Sequence, residues 1–177
     1  MIRLGASVLI PLLFCSVLVT GCKRKEKIRV QTDEEGAALA SAIHAADPRV
    51  ATQFVSGFHT VEQNQWRWTM GKFAVVLRPP AGAAEKGATL VLKFAVPDAV
   101  ISKLKTVSLS ASVAGNPLSA ETYTQPGEFV YSREIPAKLL TGDTVKVEFT
   151  LDKSLPPGDV DARELGVIFS SVALEPK

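Results

Sequence analysis

Thr106-Val107-Ser108-Leu109-Ser110-Ala111-Ser112-Val113 decides the fold. Val107, Leu109, Ala111 and Val113 alternate with three serines. Successive side chains of a strand point to opposite faces, so this period of two reads as a strand with one apolar and one wet face.

The same period recurs outward from there. Thr89–Val96 places Leu90, Leu92, Phe94 and Val96 on one side and Lys93 on the other. Val145, Val147, Phe149 and Leu151 line one face of a strand whose other face carries Lys146 and Glu148. Gln53–Phe58, Gln65–Thr69, Phe73–Arg78, Leu118–Tyr123, Phe129–Ile135 and Gly166–Leu174 read as further short strands. Pro79-Pro80, Gly115-Asn116-Pro117, Gln125-Pro126-Gly127 and Pro156-Pro157-Gly158 punctuate them. Ala99–Lys105 and Pro136–Leu140 read as single helical turns, and Ala81–Gly87 as a small-residue loop. Short strands broken by turns roughly every 8–12 residues, with no long helix between them, predict a mainly β protein. The expected fold is an antiparallel β-sandwich of jelly-roll type over residues 51–177, with a closed barrel as the structural alternative.

Upstream the pattern changes. Residues 34–46 are alanine-rich with acids at the front, and Asp33 is a suitable cap, so one short helix is predicted there. Asp47-Pro48 ends it, because the residue before a proline avoids the helical region. Residues 22–50 then form a tether. Residues 8–20 are an apolar run of 13. That is short for the roughly 30 Å of a bilayer core. With Arg3 ahead of it and small residues behind, it reads as a secretory signal covering residues 1–21.

Val19-Thr20-Gly21-Cys22 resembles the bacterial lipobox. The resemblance implies diacylglycerol on the Cys22 thiol and cleavage before it, which gives the protein a membrane as partner. Stable anchoring takes about two acyl chains, each buried CH₂ contributing about 0.8 kcal/mol. Lys23-Arg24-Lys25-Glu26-Lys27 follows as a basic patch suited to an anionic leaflet. Lys23 is not an aspartate retention signal, which favours the outer membrane over the inner one in a two-membrane host. The lipobox and the short strands argue against an outer-membrane barrel.

Cleavage leaves 156 residues, one domain's worth, and removes Arg3, which takes the formal charge from +2 to +1. A near-neutral chain argues against nucleic acid as partner. Cys15 leaves with the signal and Cys22 goes to lipid, so the domain carries no thiol or disulfide. With His44 and His59 as the two histidines, a His/Cys metal site is poorly supplied. Gly82 and Gly87 have P-loop spacing without the phosphate-binding lysine. Asp159/Asp161 and Glu34/Glu35 read as solvated loop acids. No cofactor is implied, and the expectation is a binding protein rather than an enzyme.

Two stretches remain distinctive. Gly57 to Thr69 holds both tryptophans, Trp66 and Trp68, on one strand face, with His59, Glu62 and Arg67 close by. Aromatic faces stack on sugar C–H surfaces while His59, Glu62 and Arg67 offer hydrogen bonds, which makes these five the candidate ligand-binding residues. The commoner use of such a pair is as core, with Arg67 as an edge charge. The second stretch, Asp161-Ala162-Arg163-Glu164-Leu165-Gly166, carries Asp161 and Arg163, read first as an ion pair that pins the loop and second as a contact for an anionic ligand.

Gly57-Phe58-x-x-x-Glu62 with Trp66-Arg67-Trp68-Thr69, followed by Asp161-x-Arg163-x-Leu165-Gly166-Val167, is similar to β-sandwich modules attached to some bacterial membrane glycosyltransferases and surface-glycan proteins. The resemblance covers about residues 52–174. It implies a jelly-roll sandwich among cell-surface carbohydrate and transfers no catalytic residue. The combined expectation is a lipid-anchored, extracytoplasmic binding module for cell-envelope carbohydrate. The alternative is a structural or assembly lipoprotein that binds another envelope protein through a sheet edge or apolar patch.

Overall fold

The computed structural model describes residues 39–177. The signal segment, Cys22, the basic patch and the first part of the expected helix lie outside the described residues.

In chain order the elements are β1 (Ala42–His44), a 3-10 turn (Pro48–Gln53), β2 (Phe54–Glu62), β3 (Trp66–Leu77), α1 (Ala83–Lys86), β4 (Ala88–Val96), α2 (Asp98–Leu104), β5 (Val107–Val113), β6 (Asn116–Pro117), β7 (Glu121–Tyr123), β8 (Gly127–Ile135), a 3-10 turn (Ala137–Leu139), β9 (Val145–Leu151) and β10 (Ile168–Pro176). Every ladder is antiparallel, in the order β6-β5-β9-β3-β10-β4-β8, with β1 beside β10, β2 beside β3 and β7 beside β5. The chain is the antiparallel β-sandwich expected.

β3 is the corner where one sheet becomes two layers. Its first residues, Arg67 and Trp68, pair with Phe169 and Ile168 of β10. Its second half, Lys72–Leu77, pairs with β9. A strand that changes sheets in this way folds the sheet over on itself. The first layer is then β3–β10–β4–β8 and the second β3–β9–β5. Leu90, Leu92, Phe94, Val172 and Leu174 of the first are buried against Val107, Leu109, Val113, Val147 and Phe149 of the second. Ring contacts cross the gap: Tyr123 lies 5.2 Å from Phe94 and 4.6 Å from Phe129, and Phe169 lies 5.2 Å from Phe58. A bulge at Ser170 in β10 lets Phe169 and Val172 face the same core although they are three apart.

Several expectations change. Residues 42–44 are strand, not helix. β10 loses β3 after Phe169, and its open edge at Ser171–Ala173 is filled by β1. Ile43 is thereby fully buried, which outweighs the helix propensity of the alanines. The sandwich therefore begins before residue 51. Asp47-Pro48 starts a turn instead of ending a helix: the Asp47 carboxylate accepts the Arg49 N–H, with proline at the first position. The two strands expected over 65–69 and 73–78 are one, because the Met70-Gly71-Lys72 interruption marks a change of partner, not an end. Leu118–Tyr123 contributes β7 and an irregular lead-in, and the Ala81–Gly87 loop contains the single turn α1.

Candidate functional site

The two distinctive stretches, some 90 residues apart, meet at the first-layer end of β3. Thr69, fully buried, holds them together. Its N–H donates to Val167 O at 2.9 Å, its carbonyl accepts the Gly166 N–H at 2.7 Å, and its hydroxyl oxygen accepts the Val167 N–H at 3.1 Å. Gly166 is required here, because a Cβ at that position would lie 2.6 Å from the Thr69 hydroxyl oxygen. Gly57 is required on the other side of β3, where φ is +76° and a Cβ would lie 2.0 Å from Lys72 O.

Side chains complete the junction. Arg163 donates to Glu62 at 2.7 Å and to Asp161 at 2.9 and 3.0 Å. The Asp161 carboxyl is pulled down to about 2, chiefly by the Arg163 side-chain hydrogen bond and by the Arg163 N–H. The same partners push the Arg163 pKa up, Asp161 first and Glu62 second. All three groups are about one-third exposed, so solvent screens these pairs and they order the loop more than they stabilise the fold. The His59 Nε2–H donates to Glu164 O at 2.7 Å. The Glu164 carboxylate accepts from the Ser154 hydroxyl at 2.6 Å and the Gly71 N–H at 2.9 Å, and both bonds lower its pKa. Gly71 is where β3 has left β10 and not yet joined β9, so Glu164 satisfies a donor that the ladder leaves open.

Register decides which of the predicted residues face a ligand. Trp68, Ile168, Ala95 and Glu128 form one row across β3, β10, β4 and β8. The adjacent row is Arg67, Phe169, Phe94 and Phe129. Opposed residues in a ladder share a face. Phe169 and Phe94 are buried, so the Arg67 row faces inward and the Trp68 row outward. Trp66, two residues from Trp68, shares its face, and Glu62 stands directly opposite Trp66.

Arg67 is therefore withdrawn from the candidate ligand set. It donates to Ala45 O at 2.8 Å and to His59 O at 3.1 Å, and its guanidinium lies 4.7 Å over the Phe54 ring. Burial lowers its pKa. His59 is half-buried and its Nε2 is spent on Glu164, so it too serves the junction. Trp66 and Trp68 are half-exposed, neither core nor free. Their rings lie 6.3 Å apart with planes at 81°, so they form an edge-to-face pair and not one flat shelf. A sugar ring can stack on one of them at a time.

Glu128, at the end of the Trp68 row, and Lys93 and Val130 beside it were not among the residues expected at a site, although the strand period already turned Lys93 outward. They line a hollow of about 370 Å³ with Phe94, Phe129 and Ser170. Only strand register places them beside the tryptophans. Among the described residues, no three His, Cys, Asp or Glu side chains converge as a metal site.

No family model matches the sequence, and no curated protein matches it. Among solved structures, 75% of the chain is similar to an acetyl xylan esterase from the rumen bacterium Butyrivibrio proteoclasticus, at 9% identity and a TM-score of 0.48. It is similar over 77% of its length to a cycloisomaltooligosaccharide glucanotransferase from Paenibacillus, at 12% identity and a TM-score of 0.43. It spans 32% and 18% of those two chains. A CBM4 structure aligns over 76% of this chain and 85% of its own, at 12% identity and a TM-score of 0.36. Likeness at this level assigns no ligand or activity.

Proposed function

We propose that this protein is a non-catalytic, lipid-anchored module that binds cell-envelope carbohydrate on the outer face of the β3–β10–β4–β8 layer. One observation carries the reading: Trp66 and Trp68 stand half-buried on the outward face of the sheet, Trp68 with one side packed against the core and the rest of its ring open to water. Glu62, held by Arg163, borders them with a fixed carboxylate. Aromatic contact with a sugar ring and a positioned acceptor for its hydroxyls are the chemistry this arrangement offers. Cys22 and the signal segment supply the export and the anchor, with the outer membrane as the favoured location in a two-membrane host.

A glycan array probed with the full-length chain and with Trp68→Ala tests the reading, with folding checked by circular dichroism. Binding to envelope glycans that Trp68→Ala abolishes is the expected result. An array without a signal for the wild type overturns it. Cys22→Ser is expected to abolish incorporation of labelled palmitate, and unchanged labelling would falsify the anchor.

A second reading, an assembly lipoprotein that docks another envelope protein, rests on β8. This strand pairs with β4 at nine successive positions and, among the described residues, with no strand on its other side. An open edge accepts an extended segment. Site-specific crosslinks from Ser132 to one envelope protein in intact cells would favour it over the glycan reading.

A further inference from the structure

The hollow beside the Trp68 row has a composition that narrows the ligand. Lys93 stands opposite Val130, and Glu128 lies two residues from Val130 on the same face. Lys93 and Glu128 are thus diagonal neighbours on adjacent strands, a position from which a lysine and a glutamate commonly pair. Among the described residues no ion pair joins their side chains to each other or to another group. Both are exposed, and Val130 between them is 54% exposed. The Ser170 bulge opens the third side.

The hollow therefore presents one cationic donor, one anionic acceptor and an apolar wall. A lone carboxylate or phosphate would meet Lys93 but be repelled by Glu128, and an ammonium would meet the reverse. An acetamido group matches all three features: its carbonyl accepts from Lys93, its N–H donates to Glu128, and its methyl rests on Val130. From Trp68 to Lys93 the sheet runs two strand spacings across and two residues along, about 12 Å, with Ile168 and Ala95 as the floor between them. A short oligosaccharide stacked at Trp68 spans that distance.

We propose that the Lys93–Glu128–Val130 hollow reads the acetamido substituent of an N-acetylated amino sugar, which makes glycans of that class the ligand. The inference rests on the carbohydrate-binding reading of the Trp68 face. Titration calorimetry on the full-length chain in detergent, with triacetylchitotriose and with the unsubstituted glucan cellotriose as probes, tests both. The wild type is expected to bind the acetylated trimer at least about 10-fold more tightly. Lys93→Ala and Glu128→Ala, both at exposed positions, are each expected to bring the ratio of the two affinities close to one. Trp68→Ala is expected to abolish binding of both trimers. Equal affinity of the wild type for the two trimers, or a preference that survives both alanine variants, overturns the acetamido assignment and leaves the broader reading standing. Binding of neither trimer overturns both.

Discussion

The two layers of the sandwich have the same inner faces and different outer ones. Inside, each presents valine, leucine and phenylalanine at alternate positions, buried to a few per cent or less. Outside, the second layer shows Ser108, Ser110 and Ser112 on β5, Lys146, Glu148 and Thr150 on β9, and Lys72, Ala74 and Val76 on β3. The first shows Trp66 and Trp68, then Ile168, Ala95 and Val130, with Lys93 and Glu128 among them at its β3 end, and Thr89, Ser132, Glu134 and Ser171 farther along. Folding dictates inner faces, because the hydrophobic effect acts on what leaves water. It makes no such demand on outer faces. The apolar bias of one of them is therefore information about contact, and the serine face of the other is what a sandwich looks like without that bias.

Mutations can break this comparison, and the largest effect belongs to the inner face. Leu109→Ala, which empties a fully buried site in β5, is expected to cost about 3 kcal/mol in chemical denaturation. A cost below about 1 kcal/mol would mean that the two layers do not share the core described. On the first outer face, Trp68→Ala removes a half-buried ring. Its stability loss is expected to be roughly half of the 3–5 kcal/mol typical of a fully buried ring, with glycan binding lost entirely. Intact binding would move the site off this face.

At the border of that face, Arg163→Met is expected to release the Asp161 carboxyl from about 2 toward its ordinary 3.8, read by an NMR titration. A depressed carboxyl contributes stability that is present above the ordinary value and lost as pH falls toward the folded one. The wild type is thus expected to lose this contribution between about pH 4 and 2, and Arg163→Met to show no such loss. The smallest effect belongs to the second outer face. Ser112→Lys, opposite Glu148, is expected to shift stability by no more than about 0.5 kcal/mol and to leave glycan binding unchanged. A defect there would sharpen the search toward the serine face instead.

Much of the fold was legible along the chain. The alternation at 106–113, 89–96 and 145–151 marks strands β5, β4 and β9 because burial of one face imposes a period of two on any such segment. β1 was not legible. Its alanines favour a helix locally, and the open β10 edge that recruits Ile43 exists only after β3 has turned away. The candidate site was read in half. Aromatic clustering picked out Trp66 and Trp68, and the spacing of Asp161 and Arg163 suggested the pair they form. Yet Arg67, between the tryptophans, points the other way and is consumed by Ala45 and His59 carbonyls. The strand period turned Lys93 outward, but nothing local joined it to Glu128, Val130 or the tryptophans.

By itself, the sequence determined what depends on neighbours in the chain: the strand periods, the turns and the expectation of export and lipid attachment at Cys22. The tertiary structure decided what depends on register. A one-residue shift in any ladder would exchange inner and outer faces and bring Arg67 out in place of Trp68. Which side chains stand together in water is fixed by pairings between strands distant in the chain. No window along a single strand contains them.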